Sequence, residues 1–509
     1  MRPEVQTQRG RLRGLSEDGL NIFLGIPYAE PPVGNRRFRA PVPVRPWQGV
    51  RDAVKAGPAC PQPPGLAQDL KVFAEDCLYL NVYAPTSSAR GARLPVMVWV
   101  HGGGFTMGAG TQDLYDAREL ARKNDLVVVT LNYRLGVFGF GGLAALLPAE
   151  LEVTHNNGLR DQLTALSWVQ ENIASFGGDP ERVTAFGQSA GSMSLASLLC
   201  AQGAAGLFHG AICQSGGASH AIESDEAARL AERFLSELDI KAAHAQRLWD
   251  LDADTLLRAQ GVYARETVMR GPVGAKLPQT AMTLLPVVDG DLLLRQPLET
   301  LRAGAGVQVP MLTGVTTDEW HFFIVPQLKQ TGDMEPEKLA HLVTRNLGGE
   351  ERGAIELYRN ALSAEHAREN WRILSAIESD RVFRLPVIRM AEAQRQKQPV
   401  FMYRFEWQTR AMRGLMGACH AADLPFVFDT LQSPLGKAFT GDTPAARALS
   451  ARMIGAWTSF ARSGNPSCEA VGDWPTYDEG DRATMRLGDE LGLCFDPDAQ
   501  LRLFWDGIQ

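Results

Sequence analysis

The sequence contains no apolar run approaching the ~18 residues needed to cross a bilayer. Its apolar stretches, such as LPVMVWV (94–100), have the length of buried strands. Nor is there an excess of positive charge. The 51 Lys and Arg stand against 58 Asp and Glu, a net charge of −7, which argues against a nucleic-acid partner and the basic face it requires. Cysteine is scarce: seven in 509 residues, an odd number, which excludes a dense disulfide scaffold. No H-E-x-x-H and no paired C-x-x-C occurs, so no metal site is expected. No glycosylation sequon is present, because NPS (465–467) is blocked by its proline. The first residues, MRPEVQTQRGRLRGL (1–15), lack the apolar segment of a secretory leader, which makes a cytoplasmic location the expectation.

What is present is an ordinary globular composition, with 45% hydrophobic and 21% charged residues. Continuous apolar, β-branched runs recur: VMVWV (96–100), LVVVTLNY (126–133), VTAFG (183–187), GAICQ (210–214), VPMLTGV (309–315) and VFMYRF (400–405). Continuous rather than alternating runs predict strands covered on both faces, hence a largely parallel sheet. Helical stretches lie between them, at 159–176 and 225–238 among others, so the fold class is α/β. No repeat, low-complexity tract or linker interrupts the chain. Residues 265–285 and 325–337 read as irregular Gly/Pro-rich segments, either insertions at the rim of a site or surface loops.

One motif raises the question of chemistry. VTAFGQSAGS (183–192) sets Ser189 between Gly187 and Gly191, after a predicted strand and before a predicted helix. G-x-S-x-G alone is a weak signal, but strand–turn–helix is the setting in which a sharp turn exposes a nucleophilic hydroxyl. Glycine is needed on both sides because neighbouring backbone comes close. The helix start adds free N–H groups and a positive dipole end. A second stretch, VWVHGGGFTMGAG (98–110), runs a buried strand into consecutive glycines. Acyl transfer builds an oxyanion, and glycines let backbone N–H donors converge on it. No G-K-[ST] follows, which argues against a phosphate loop.

A hydroxyl also needs a base, and the base an orienting acid, in the chain order Ser, acid, His. Among the later histidines, His366 lies in a polar helical stretch, and His321 follows the acidic pair Asp318-Glu319 too closely to leave room for an acid. His420, where a loop meets an apolar segment, is favoured by order and placement. Between Asp318 and Glu319, both just past the strand 309–315, the residues themselves do not choose.

With these motifs together, the sequence resembles a type-B carboxylesterase of the cholinesterase-related α/β-hydrolase superfamily, with bacterial para-nitrobenzyl esterases as the nearest kind. The resemblance is carried by GIPYAEPPVGNRRF (25–38), EDCLYLNVYAP (75–85), HGGGF (101–105), LNYRLGVFGF (131–140), GQSAGS (187–192), CQSGG (213–217), CHAADLPFVF (419–428) and AWTSFARSGNPS (456–467). It covers essentially the whole chain and implies one α/β-hydrolase domain over 1–509. That fold is a large, mostly parallel central sheet flanked by helices, with loop and helical insertions over an active-site gorge. The resemblance implies Ser189 as nucleophile, Glu319 as triad acid and His420 as base. It implies oxyanion donors at Gly103, Gly104 and Ala190, support from Ser215, and a disulfide between Cys60 and Cys77. The activity implied is hydrolysis of small-molecule carboxylic esters through an acyl-enzyme, with no cofactor, by a monomer or small homo-oligomer. Lipase or carbamate/amide hydrolysis on the same triad is the alternative, and a non-catalytic cholinesterase-like binding protein the remote one.

Three positions depart from the family pattern. Gln188 stands where the family has Glu before the nucleophile, either an isosteric swap or a loss of negative charge beside the triad. Ala185 replaces a larger aliphatic residue. Cys419 adjoins His420, as packing or as a redox-sensitive thiol. The segment 61–76 lacks the Trp that binds choline in cholinesterases, so an uncharged, apolar ester is the expected substrate.

Overall fold

The computed structural model describes residues 2–63, 69–88, 93–270, 282, 284–347 and 351–508. Its frame is an 11-stranded sheet. In chain order the strands are β1 (Leu15–Glu17), β2 (Leu20–Pro27), β3 (Tyr79–Pro85), β4 (Leu94–Val100), β5 (Val127–Leu131), β6 (Gly178–Gln188), β7 (Gly210–Gln214), β8 (Met311–Thr316), β9 (Val400–Phe405), β10 (Ala483–Leu487) and β11 (Leu491–Phe495). Their spatial order is β11-β10-β9-β8-β7-β6-β4-β5-β3-β2-β1. The block from β10 to β5 is parallel, and antiparallel strands close both edges.

The apolar runs are continuous because both faces are buried. Val96, Val98 and Val100 of β4 join one core with Val127, Val129 and Ala185. Met97 and Trp99 point into the other with Val128, Phe186 and Ile212. On that second face Trp99 meets Phe186 at 4.8 Å and Phe428 at 4.9 Å. Ala185 is fully buried.

The helices that matter for the site are α1 (Asn157–Asn172), α2 (Ala190–Leu198), α3 (Ser224–Glu237), α4 (His321–Thr331), α5 (Glu351–Ala361), α6 (Asn370–Ser379), α7 (Leu385–Gln394), α8 (Pro444–Ser463) and α9 (Ala499–Asp506). A π-helical turn, Asp380–Arg384, joins α6 to α7. Local chemistry sets several boundaries. In α8 the Thr443 side chain accepts from Ala446 N, Pro444 occupies the first turn, and Gly464 at φ 73° stops the helix. Among the described residues, no helix is long and apolar enough to cross a membrane.

The irregular reading of 265–285 and 325–337 needs correction. The helix Ala253–Arg270 extends into the first segment, while residues 271–281 and 283 lie outside the described residues. In the second, α4 runs through Pro326 and another helix begins at Pro336. Proline inside a helix removes one backbone bond. Here Pro326 sits on the exposed face while Ile324 and Val325 are buried, so packing of the inner face outweighs the loss.

Candidate active site

Segments that follow the parallel strands carry Gly103, Gly104, Ser189, Ala190, Ser215, Glu319 and His420. At the end of β6, Ser189 adopts φ 58° and ψ −127°, a region costly for a side-chain-bearing residue, on the order of 1–3 kcal/mol. Its N–H donates to Gln214 O of β7 at 2.9 Å, and its carbonyl accepts from Met193 N of α2 at 2.9 Å, which fixes the turn between β6 and α2. The flanking glycines are dictated by contact. A Cβ at Gly191 would stand 2.0 Å from Val100 O, and one at Gly187 would stand 2.7 Å from Gly191 C.

The glycine loop after β4 runs against this turn. A Cβ at Gly102 would lie 2.6 Å from Gln188 O and 3.0 Å from the Ser189 Cβ. Gly103 and Gly104 take φ 115° and 59°, where a Cβ is strained. The Gly103 carbonyl accepts from Thr106 N and Met107 N, both at 3.1 Å. Among the described residues, no hydrogen bond within the protein uses the N–H of Gly103, Gly104 or Ala190. Beneath the loop, His101 stacks on Tyr133 at 4.4 Å with Nδ1 2.8 Å from Gly102 O. Burial pushes its pKa down to about 4, so it is a neutral prop.

The loops after β8 and β9 meet as a short ladder. Asp318 N donates to Ala418 O at 2.9 Å, and Ala418 N donates back to Asp318 Oδ2 at 2.9 Å. Asp318 therefore ties the loops together, facing Gly417 and His321. Glu319 turns the other way. Its Oε1 accepts from Thr316 N at 2.8 Å and its Oε2 lies 2.5 Å from His420 Nδ1. Glu319 is fully buried and His420 is 4% exposed. His321 packs against Trp371 with ring centroids 5.0 Å apart, and His366 sits on an exposed turn.

With Nδ1 engaged by Glu319, the imidazole presents a lone pair at Nε2. Gln188 Nε2 donates there at 3.1 Å and lies 3.4 Å from Nδ1. Among the described residues, the Ser189 hydroxyl has no hydrogen-bond partner. Three aromatic rings surround the imidazole: Phe383 at 4.6 Å, Phe323 at 5.4 Å and Phe322 at 6.1 Å.

Ser215 follows β7 at φ 52°, its N–H donating to Gly314 O, and its buried hydroxyl has no hydrogen-bond partner among the described residues. The Ser192 hydroxyl of α2 donates to Gly216 O at 2.7 Å. Cys60 and Cys77 are joined by a disulfide, and Cys419 is a buried free thiol whose pKa burial raises.

Several neighbours of the site lie inside motif stretches but receive no role from sequence alone. Behind His420, the buried Asp423 accepts from Gln214 Nε2 at 2.7 Å and from the Tyr403 hydroxyl at 3.2 Å. Trp457 Nε1 donates to Gln214 Oε1 at 3.1 Å. Burial, reinforced by the nearby Glu319 charge, pushes the Asp423 carboxyl up to about 6. Its sequence signal is position: an acidic residue three after His420, leading into the apolar LPFVF. Among the described residues, no cluster of three or more His, Cys, Asp or Glu is arranged to hold a metal ion.

A model of the carboxylesterase family matches residues 1–498. The chain is 38% identical to a para-nitrobenzyl esterase of Bacillus subtilis (strain 168), over 98% of this chain and 97% of that protein. It is 34% identical to a phenmedipham hydrolase of Pseudarthrobacter oxydans, over 96% of each chain. A solved Geobacillus stearothermophilus carboxylesterase superposes with a TM-score of 0.88 at 37% identity, covering 99% of this chain and 100% of that one. A solved para-nitrobenzyl esterase superposes with a TM-score of 0.84 over 99% of both chains. The chain therefore belongs to the carboxylesterase family, with its α/β-hydrolase fold, and is a carboxylic ester hydrolase.

Proposed function

We propose that Ser189 is the nucleophile, His420 its base, and Glu319 the acid that orients the base, in hydrolysis of uncharged, apolar carboxylic esters. The observation that carries this reading is the 2.5 Å contact between Glu319 and His420 Nδ1, made where the strained Ser189 turn ends β6. That contact holds the tautomer whose Nε2 can accept a proton.

As the Ser189 hydroxyl attacks the ester carbonyl, its proton passes to Nε2 and the carbonyl electrons move onto oxygen. The N–H groups of Gly103, Gly104 and Ala190 then receive the oxyanion, each donor contributing on the order of 3 kcal/mol in the transition state. Collapse of the oxyanion expels the alcohol, which takes its proton from His420. Water then repeats the sequence on the acyl-enzyme. The neutral Gln188 and the aromatic rings about His420 support an apolar, uncharged substrate.

Ser189→Ala is expected to lower kcat for p-nitrophenyl esters by about 10⁴-fold or more. Near-normal turnover would overturn the assignment. On a panel of esters, amides and carbamates of graded acyl length, with and without an oil–water interface, the reading predicts soluble apolar esters as the best substrates.

The proposal extends to a cytoplasmic monomer or small homo-oligomer, built as one domain over residues 1–509. Sedimentation and limited proteolysis test the last two points. The Cys60–Cys77 bond pulls against a reducing compartment, so the thiol state of that pair in cell extracts tests the first.

A further inference from the structure

We propose that Phe383, carried on the π-helical turn between α6 and α7, is a positioning residue for His420 whose ring face stabilises the imidazolium formed during turnover. The proposal rests on the triad reading above. When the Ser189 Oγ–carbon bond forms, the hydroxyl proton moves to His420 Nε2 and leaves a full positive charge on the ring. Glu319 meets that charge at Nδ1. The Phe383 ring lies against the imidazole itself, centroids 4.6 Å apart and planes 38° from parallel. An aromatic face carries negative quadrupole density, and a cation within about 6 Å of its centroid is attracted to it.

The turn that carries Phe383 is held more firmly than helix geometry alone requires. A π turn departs from the α-helical hydrogen-bond pattern and is often found at functional sites. Here Asp380 and Arg384 pair within the turn, with Arg384 Nε and Nη2 each 2.5 Å from a carboxylate oxygen. The Tyr358 hydroxyl of α5 donates to Asp380 and itself accepts from Trp505 Nε1 of α9 at 2.6 Å. On the other side, Trp320 N, next to Glu319 in sequence, donates to Ser379 Oγ at 2.9 Å. The turn is thus linked to the acid loop and to the last helix, and this sets the approach of Phe383 to His420.

The charged groups around the imidazole are few. Glu319 and the buried Asp423 face it from the loops after β8 and β9. Those of the π turn are engaged elsewhere, Asp380 with Arg384 and Arg381 with Glu378. On α4, His321 turns toward Asp318 and Trp371, and Gln188 of β6 is neutral. A change in the electron density of the Phe383 ring therefore acts on the imidazolium with no other charge altered.

The test replaces Phe383 in the full-length enzyme with 4-fluoro-, 3,5-difluoro- and 3,4,5-trifluorophenylalanine, which preserve shape while draining the ring face. The readout is the midpoint of the ascending limb of kcat/KM against pH. The proposal predicts a stepwise fall across the series of about half a unit to one unit, with kcat falling in parallel. The same series at Phe460, buried in α8, should leave the midpoint in place. A midpoint that stays constant across the Phe383 series, in variants that melt like the parent, would overturn the proposal. Full ester turnover in His420→Ala would instead remove the triad reading beneath it.

Discussion

At the scale of single residues, Gln188 occupies the critical nitrogen. Its amide N–H donates to His420 Nε2, which takes the Ser189 proton in the proposed mechanism. A donor there favours the neutral imidazole, whereas a carboxylate favours the charged one. Gln188→Glu is expected to move the ascending limb of the pH–rate profile to higher pH by about one unit and to improve relative turnover of cationic esters. An unchanged profile would show that the amide is an isosteric filler.

Asp423 offers a second test at this scale. Its folded pKa, about 6, lies above the usual value near 4. The native state therefore holds a proton that the unfolded chain releases, and the group's stabilising effect is present below pH 4 and lost as pH rises through 6. Stability of the wild type relative to Asp423→Asn should improve by about 2–3 kcal/mol between pH 7 and pH 4. Urea unfolding of both proteins at the two pH values measures this, and a constant difference would mean that Asp423 titrates normally.

At the scale of elements, steric contact decides what can be changed. The Cβ of Gly191→Ala would press into the Val100 carbonyl, and backbone cannot swing away as a side-chain end can. The expected cost is about 1–3 kcal/mol of stability, with a larger proportional loss of kcat because the proposed oxyanion donors Gly103 and Gly104 follow Val100. Thermal unfolding and kcat on one preparation separate the two effects.

Element by element, the central strands were legible in the sequence because burial on both faces writes a continuous apolar run. GAICQ coincides with β7. Pro326 misled because its cost is local, while the burial of Ile324 and Val325 that repays it depends on tertiary packing. Asp318 and Glu319 could not be separated from residue type alone, since each follows the same strand. What distinguishes them is that Ala418 takes up Asp318, a contact across a hundred residues of chain. Phe383 lies in no motif, and Asp423 lies in one that gives it no role, because their placement depends on which rings and carboxylates the fold brings to His420.

At the scale of the whole molecule, one sheet collects the strained Ser189 turn, a glycine loop and the Glu319–His420 contact from segments far apart in sequence. The Cys60–Cys77 bond closes a segment with a sequence separation of 17. In the chain-entropy account, opening such a loop costs about 3 kcal/mol through the unfolded state. Reduction should lower the unfolding free energy by that amount with little change in kcat for small esters. A large loss of kcat on reduction would instead make the loop part of the substrate site.

The most direct measurement is to trap the acyl-enzyme. Wild-type protein is mixed with p-nitrophenyl acetate, quenched in acid during turnover, digested and mapped by mass spectrometry. An acetyl group on the peptide holding Ser189, absent from Ser189→Ala, is the predicted result. Acetyl on another residue, or undiminished hydrolysis by Ser189→Ala, would contradict it.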